Sequence, residues 1–468
     1  MNAAVPTCRE IADDVQSRKR SAREVVDAAL ARAEKFQDQF RAFTRITPEI
    51  ARRHAKRVDE RIKQGEKLPL AGVPFAVKDL FDLESVPTTY GGKVFADRIA
   101  KSHATAVRKL VDAGAVCLGK LNLHECAFGF TGANPTFGDA RNPWDPSRIA
   151  GGSSSGSAIA VALGICSLTL GSDTGGSIRH PSALCGVTGL KPTYGRVSRA
   201  GGLPLSWTMD HVGPITRTAA DAALVLKLMA GADPADETSS RRPVPDYRAE
   251  LSARIRGLRI GVMHRWFFEA LDAEVAAAVG HGLERFVALG ARQVEVNLPL
   301  LEETLGAHRA ILFSEASSFQ RPYLAERAAD FADDVRPLLL AGLFIPAADY
   351  LGALRARRII RREWAKVFES IDVLITPTTP VTATKFGDAT ADVPGGPKPL
   401  VRAYLDLTLP FNVTGYPAIS IPCGFSKAGL PIGMQLAGRP FTEGTLLRVA
   451  HQYQQETEWH ERMPVLAK

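Results

Sequence analysis

Two glycine- and serine-rich clusters bracket the apolar run Ala158–Leu170: Gly151-Gly152-Ser153-Ser154-Ser155-Gly156-Ser157 before it, and Gly171-Ser172-Asp173-Thr174-Gly175-Gly176-Ser177-Ile178-Arg179 at its end. A flexible spacer has no use for an apolar run between its pieces. The pattern instead predicts a tight turn into a buried helix over 158–163, ended by Gly164, then a short strand over 165–170 and a second glycine-rich turn. Glycine clusters allow backbone N–H groups to approach a ligand or a developing charge, so serines beside them are candidate nucleophiles.

The flanking sequence alternates helix and short apolar strand. Residues 1–66 read as helical, with the capping box Ser21-Ala22-Arg23-Glu24 ahead of Val25, Val26 and Leu30 and a second, charged helix running to Lys67. Val73–Val77 reads as a strand ending directly at Lys78. Helix then strand recurs at 104–119, and the strand Gly257–Val262 precedes a helix over 273–290. This alternation predicts a layered α/β architecture. The polar, proline-rich stretch 232–256 marks a boundary, so the chain divides into N-terminal helices (1–66), a catalytic core (67–231), a helical middle (232–370) and a β-rich end (371–468). That end carries strands at 371–375, 418–422 and 433–437.

Composition narrows the class. The chain has 468 residues, a net charge of +8 and six cysteines without CxxC spacing, which argues against a disulfide framework or a zinc site. No nucleic-acid motif accompanies the basic charge, so a solvated basic face is expected and no nucleic-acid partner. Residues 1–7 lack a basic start and an apolar core, and no apolar stretch is long enough to span a bilayer. A cytoplasmic chain with no membrane contact is the expectation.

Three readings of the serine clusters compete. Gly152-Ser153-Ser154-Ser155-Gly156 matches a G-x-S-x-G elbow with Ser154 as nucleophile, but a turn, not a strand, precedes it. A phosphate-binding loop fails because no lysine follows Gly156. In the third reading Ser177 is the nucleophile and Lys78 the ultimate base, with Ser153 as a relay between them. The N–H groups of Thr174, Gly175, Gly176 and Ser177 then form a nest for an oxyanion. Lysine serves as a base only where burial or a neighbouring cation lowers its pKa. The bland alternative has Lys78 snorkelling to solvent or pairing with Asp79.

These segments resemble the amidase signature family of serine hydrolases. The likeness includes the lysine after an apolar strand, the GGSS stretch from Gly151 and Gly171-Ser172-Asp173-Thr174-Gly175-Gly176-Ser177-Ile178-Arg179. It extends to Arg141-Asn142-Pro143-Trp144, Cys185–Thr193, Thr376-Pro377-Thr378-Thr379-Pro380 and Pro431-Ile432-Gly433-Met434-Gln435. The resemblance implies a single α/β/α domain with a large central mixed sheet flanked by helices, and a Ser–cis-Ser–Lys triad at Ser177, Ser153 and Lys78. It also implies a cis Gly152–Ser153 peptide, scaffolding of the second turn by Asp173 and Arg179, and no metal or organic cofactor.

The expected activity is hydrolysis of a small amide or a urea- or carbamoyl-type C–N bond through a seryl acyl-enzyme, with a homodimer as a possible assembly. The alternatives are the glutamine-hydrolysing chain of a glutaminyl-tRNA amidotransferase, and an aryl acylamidase or esterase of the same family. Candidate substrate-binding residues are Phe128, Thr131, Trp207, Tyr350 and Arg357, with Phe130, Met209 and Phe411 as further aromatic or sulfur-bearing candidates. Tyr350, Leu354 and Arg357 share a helix face by spacing. Arg357 stands where the amidotransferase chain has an arginine that grips the glutamine carboxylate. The aspartate expected before Pro410-Phe411-Asn412 is one residue out of register: Leu405 takes its place and Asp406 follows.

Overall fold

An eleven-stranded mixed sheet forms the spine of the computed structural model, which describes residues 5–465. In chain order the strands are β1 (Phe43–Ile46), β2 (Pro74–Lys78), β3 (Val116–Leu121), β4 (Leu168–Asp173), β5 (Thr188–Lys191), β6 (His211–Thr216), β7 (Arg259–Val262), β8 (Arg292–Glu295), β9 (Val373–Pro377), β10 (Thr390–Val393), β11 (Gly396–Pro399), β12 (Ala418–Phe425) and β13 (Pro431–Ala437). The order across the sheet is β1-β3-β2-β4-β6-β5-β12-β13-β9-β7-β8, and β10 and β11 form a separate ribbon. β3, β2 and β4 run parallel, as do β9, β7 and β8, and antiparallel pairs join the two blocks.

Every residue of β2, β3 and β4 is buried, which is why these strands read as continuous apolar runs rather than alternating ones. The helix between the glycine clusters spans Ser155–Ala162 and is buried throughout. A Cβ at Gly156 would stand 2.1 Å from the Ala42 carbonyl and 2.6 Å from the Asn122 nitrogen, so this helix closes onto the neighbouring chain only with glycine there. After the helix, Ile165 and Cys166 both donate to the Ala160 carbonyl. That closure consumes the first residues of the expected strand, and β4 starts at Leu168 instead of 165. The shift carries Ser172 and Asp173 to the strand end, beside Lys78.

Two edge strands escaped the sequence pattern. β1 interrupts the helical N-terminus between Ala22–Phe40 and Pro48–Lys63, and only one of its four residues is buried. β8, Arg-Gln-Val-Glu, is mostly exposed and has no apolar face. It pairs in parallel with β7, so the middle section is not wholly helical and supplies an edge of the sheet. The proline-rich stretch after 232 is clamped onto the core: the Arg196 guanidinium donates to the Arg242 and Pro243 carbonyls at 3.1 and 3.0 Å and to the Tyr247 hydroxyl at 2.7 Å. The main apolar core runs from Cys8 to Tyr453, and a smaller one gathers around Ile149, Leu184, Leu400 and Tyr404.

The Ser21 capping box is formed, with Glu24 N donating to Ser21 Oγ at 3.1 Å and Ser21 N to Glu24 Oε2 at 2.8 Å. The six cysteines are free and buried. Among the described residues no single helix is long and apolar enough to cross a membrane. The reading of residues 1–7 as lacking a leader falls partly outside the described residues, which begin at 5.

Candidate active site

Lys78 ends β2, and the register Val77↔Leu170 sets it against the last residues of β4. Its side chain is fully buried, and Nζ donates to Ser153 Oγ at 2.6 Å and to Ser172 Oγ at 2.9 Å. Burial pulls its pKa down to about 7, against the opposing pull of Asp173 and Asp210. Lys78 therefore does not snorkel. Nor does it pair with Asp79, whose carboxylate is held by Lys120 at 2.7 Å.

Ser153 follows a cis peptide from Gly152. Ser154 is fully buried, and its hydroxyl is spent on Ser172, donating to its carbonyl at 3.1 Å and accepting from its N–H at 3.3 Å. Those bonds leave Ser154 no free hydroxyl and remove the elbow reading. Ser155 Oγ donates to the Gly151 carbonyl at 2.6 Å. Ser177, 9% exposed, makes no hydroxyl hydrogen bond with a described residue, and none joins it to Ser153 Oγ; it opens onto a cavity of about 860 Å³.

The turn bearing Ser177 hangs on a buried ion pair. Arg179 donates to both Asp173 oxygens at 2.9 Å, to Asn412 Oδ1 and Gln435 Oε1 at 2.7 Å, and to the Thr408 carbonyl at 2.9 Å. Burial works against the Asp173 carboxylate, but Arg179, Lys191 and Asn412 hold its pKa well below the usual range. Asp173 in turn accepts from Gly176 N at 2.8 Å and Ile178 N at 3.1 Å. Gly176 N–H is thus committed to the scaffold and leaves the expected set of free oxyanion donors. The N–H groups of Thr174, Gly175 and Ser177 have no acceptor among the described residues. Gly176 itself sits at φ +135°, and a Cβ there would stand 2.3 Å from the His180 ring and 2.5 Å from Thr408 Oγ1.

Three side chains that sequence reasoning overlooked brace the turn from outside. His308 Nε2 lies 3.0 Å from the Thr174 carbonyl, and burial holds this imidazole neutral, at about 4. Thr408 Oγ1 donates to the Gly175 carbonyl at 2.6 Å. Asp210 accepts from Thr174 Oγ1 at 2.6 Å, and burial lifts its carboxyl to about 6. All three stand far along the chain from Ser177, which leaves no local pattern to read.

The pocket candidates divide. Phe128, Phe130 and Thr131 line the cavity with Thr174, Gly175 and Ser177. Trp207, 41% exposed, lines a second cavity of about 320 Å³ on the Ser172 and Asp210 side. Tyr350 and Arg357 line neither. The Tyr350 hydroxyl donates to Glu315 at 2.9 Å, and Arg357 donates to the Thr208 carbonyl and hydroxyl at 3.2 and 2.9 Å. Met209 and Phe411 are fully buried, Phe411 against Trp364 and Phe267. Leu405 and Asp406 both line the main cavity, and Asp406 is paired with Lys398 at 3.0 Å and Arg402 at 2.8 Å.

A mixed sheet that sets a buried lysine against a cis-linked serine, with a glycine-turn serine opening onto a cavity, defines the class, and the amidase family model matches residues 24–447. The chain belongs to the amidase family. It is 42% identical to the A-type subunit of the glutamyl-tRNA(Gln) amidotransferase of Moorella thermoacetica, over 98% of each chain. Among solved structures it matches, at TM-score 0.93 and 39% identity over 98% of this chain and 100% of the other, a chain from a vestigial protein complex described as revealing the evolutionary origins of an s-triazine catabolic enzyme. It also matches the corresponding glutamyl-tRNA(Gln) amidotransferase subunit of Thermotoga maritima at TM-score 0.81 and 32% identity, covering 96% of this chain and 95% of that one.

Proposed function

We propose that the chain hydrolyses an amide C–N bond through an acyl-enzyme on Ser177, with Ser153 passing protons between Ser177 and Lys78. The observation that carries this is the 2.6 Å bond from the fully buried Lys78 Nζ to Ser153 Oγ, next in the chain to Ser154, whose N–H donates to the Ser177 carbonyl at 3.1 Å. Neutral Lys78 accepts a proton from Ser153 as Ser153 accepts one from Ser177, and Ser177 Oγ attacks the carbonyl carbon. The N–H groups of Thr174, Gly175 and Ser177 are free to hold the developing oxyanion. Ser153 then protonates the departing nitrogen, the C–N bond breaks, and water attacks the acyl-enzyme with the same relay as base. An amine leaves poorly unless protonated, so a relay between base and nucleophile suits amides.

The relatives' names favour a more particular reading: the chain is the hydrolytic subunit of an amidotransferase, takes ammonia from glutamine and works with partner chains. Likeness over nearly the whole length to proteins named as glutamyl-tRNA(Gln) amidotransferase subunits supports this more strongly than it supports a stand-alone amidase. A small amide or urea-type substrate is the second reading. It is favoured by Arg357 lying outside the cavity against Thr208, and by Leu405 lining the cavity where a carboxylate was expected. Ammonia release by the purified chain, measured on glutamine beside a panel of amides, ureas and carbamates, separates the two. Turnover of glutamine, or co-purification with partner chains from the native source, supports the amidotransferase reading. Robust turnover of other amides with none of glutamine supports the second reading.

A further inference from the structure

We propose that Arg309 anchors a carboxylate on the substrate, so that the molecules cleaved at Ser177 carry an anionic group away from the scissile amide. The inference rests on the reading that Ser177 acts in this cavity, and it names the substrate chemistry that the cavity selects.

Arg309 follows His308 on the helix Glu303–Arg327, and the His308 contact with the Thr174 carbonyl ties that helix to the nucleophile turn. Both residues line the cavity. The Arg309 guanidinium lies 5.6 Å from the centre of the Phe313 ring, and Phe313 meets Phe128 edge-on at 5.1 Å, so the cation rests on an aromatic wall. A guanidinium laid on an aromatic ring still presents its in-plane N–H edge, which is the geometry that grips a carboxylate with two bonds.

The charge balance singles this residue out. Asp406 is held by Arg402 and Lys398, and Asp334 lies 3.0 Å from His124 Nε2. Arg309 alone among the charged side chains lining the cavity has neither an ion pair nor a hydrogen bond to a described residue. Around it the lining is apolar, with Leu305, Leu312, Leu338 and Phe313. The Arg309 side chain is exposed, so its pull on an anion strengthens as a ligand seated on the apolar wall displaces water from it. Arg357, the arginine that the sequence offered for this task, is held by Thr208 instead.

The test is protection of Ser177 from a fluorophosphonate, followed as the labelling rate and located by peptide mapping. The protectants are 3-phenylpropionate and 3-phenyl-1-propanol, which differ in the charged end. In the wild type the carboxylate should protect at a concentration about ten- to hundredfold lower than the alcohol, the range expected for a charge-assisted contact. Arg309→Gln should bring that ratio close to one, and Arg309→Lys should keep an intermediate ratio. The side chain is exposed and unbonded, so these variants should fold. Labelling at Ser177 with a ratio near one in the wild type, or one that Arg309→Gln leaves unchanged, overturns the assignment alone. Labelling elsewhere overturns the acyl-enzyme reading and the assignment with it.

Discussion

Acidification should switch off amide hydrolysis by protonating one buried amine. A lysine has an ordinary pKa of 10.5, and burial at the end of β2 brings Lys78 to about 7. That difference corresponds to about 5 kcal/mol in favour of the neutral amine over the ammonium, at about 1.4 kcal/mol per tenfold change. At pH 7 about half the molecules then hold neutral Lys78, against a few in ten thousand for an ordinary lysine. The shift is therefore worth about a thousandfold in competent base. The assay is kcat/KM against pH for a matched amide and ester. The amide profile should climb about tenfold per pH unit below about 6.5, reach half its plateau near 7 and flatten above about 8. Lys78→Met should abolish the climb and cost the amide more than the ester, whose alkoxide leaves with less need of a relayed proton. Lys78→Arg should not rescue, since a guanidinium stays protonated at any working pH. A flat wild-type amide profile between pH 5 and 9, or amide activity retained in Lys78→Met, would refute the assignment of Lys78 as base.

Asp210 pulls the Lys78 pKa upward, so Asp210→Asn should move the acid limb to lower pH, whereas general loosening of the site would reduce activity without that displacement. Gly176→Ala should reduce kcat by two or more orders of magnitude, because its Cβ would collide with His180 at φ +135°. Gly175→Ala, whose Cβ would stand 3.2 Å from the His308 ring, should be far milder; equal losses would contradict the turn geometry. Stability should show the buried lysine as well. The folded pKa lies below the unfolded one, so between about 7 and 10.5 the unfolded chain binds more protons and the Lys78 contribution to stability rises with pH. Melting curves should therefore show Lys78→Met at its greatest advantage over the wild type near pH 6, shrinking toward pH 9.5. Arg179→Met should unfold the chain or lower its melting temperature steeply, since it strands the Asp173 carboxylate inside the core, a loss of about 3–5 kcal/mol for a broken buried pair.

Much of the site was legible because it is local. The apolar run into Lys78 reads as a strand buried on both faces, and the two glycine clusters announce turns on either side of one short helix. What stayed hidden depends on which way side chains face in the assembled fold. Spacing put Tyr350 and Arg357 on one helix face, but that face turns toward Glu315 and Thr208 rather than the cavity. Arg309 stands on a different helix with nothing local to mark it. Counting N–H groups in the second turn likewise overlooked that the Asp173 carboxylate had claimed Gly176. β1 and β8 escaped because an exposed edge strand has no apolar face to alternate.

The central claim is that an acyl group is transferred to Ser177, and trapping that adduct tests it most directly. The enzyme, exposed briefly to a slowly deacylating ester and quenched in acid, should gain the mass of one acyl group on the peptide that contains Ser177. The adduct should vanish in Ser177→Ala. An adduct on Ser154, or one that persists in Ser177→Ala, would contradict the account.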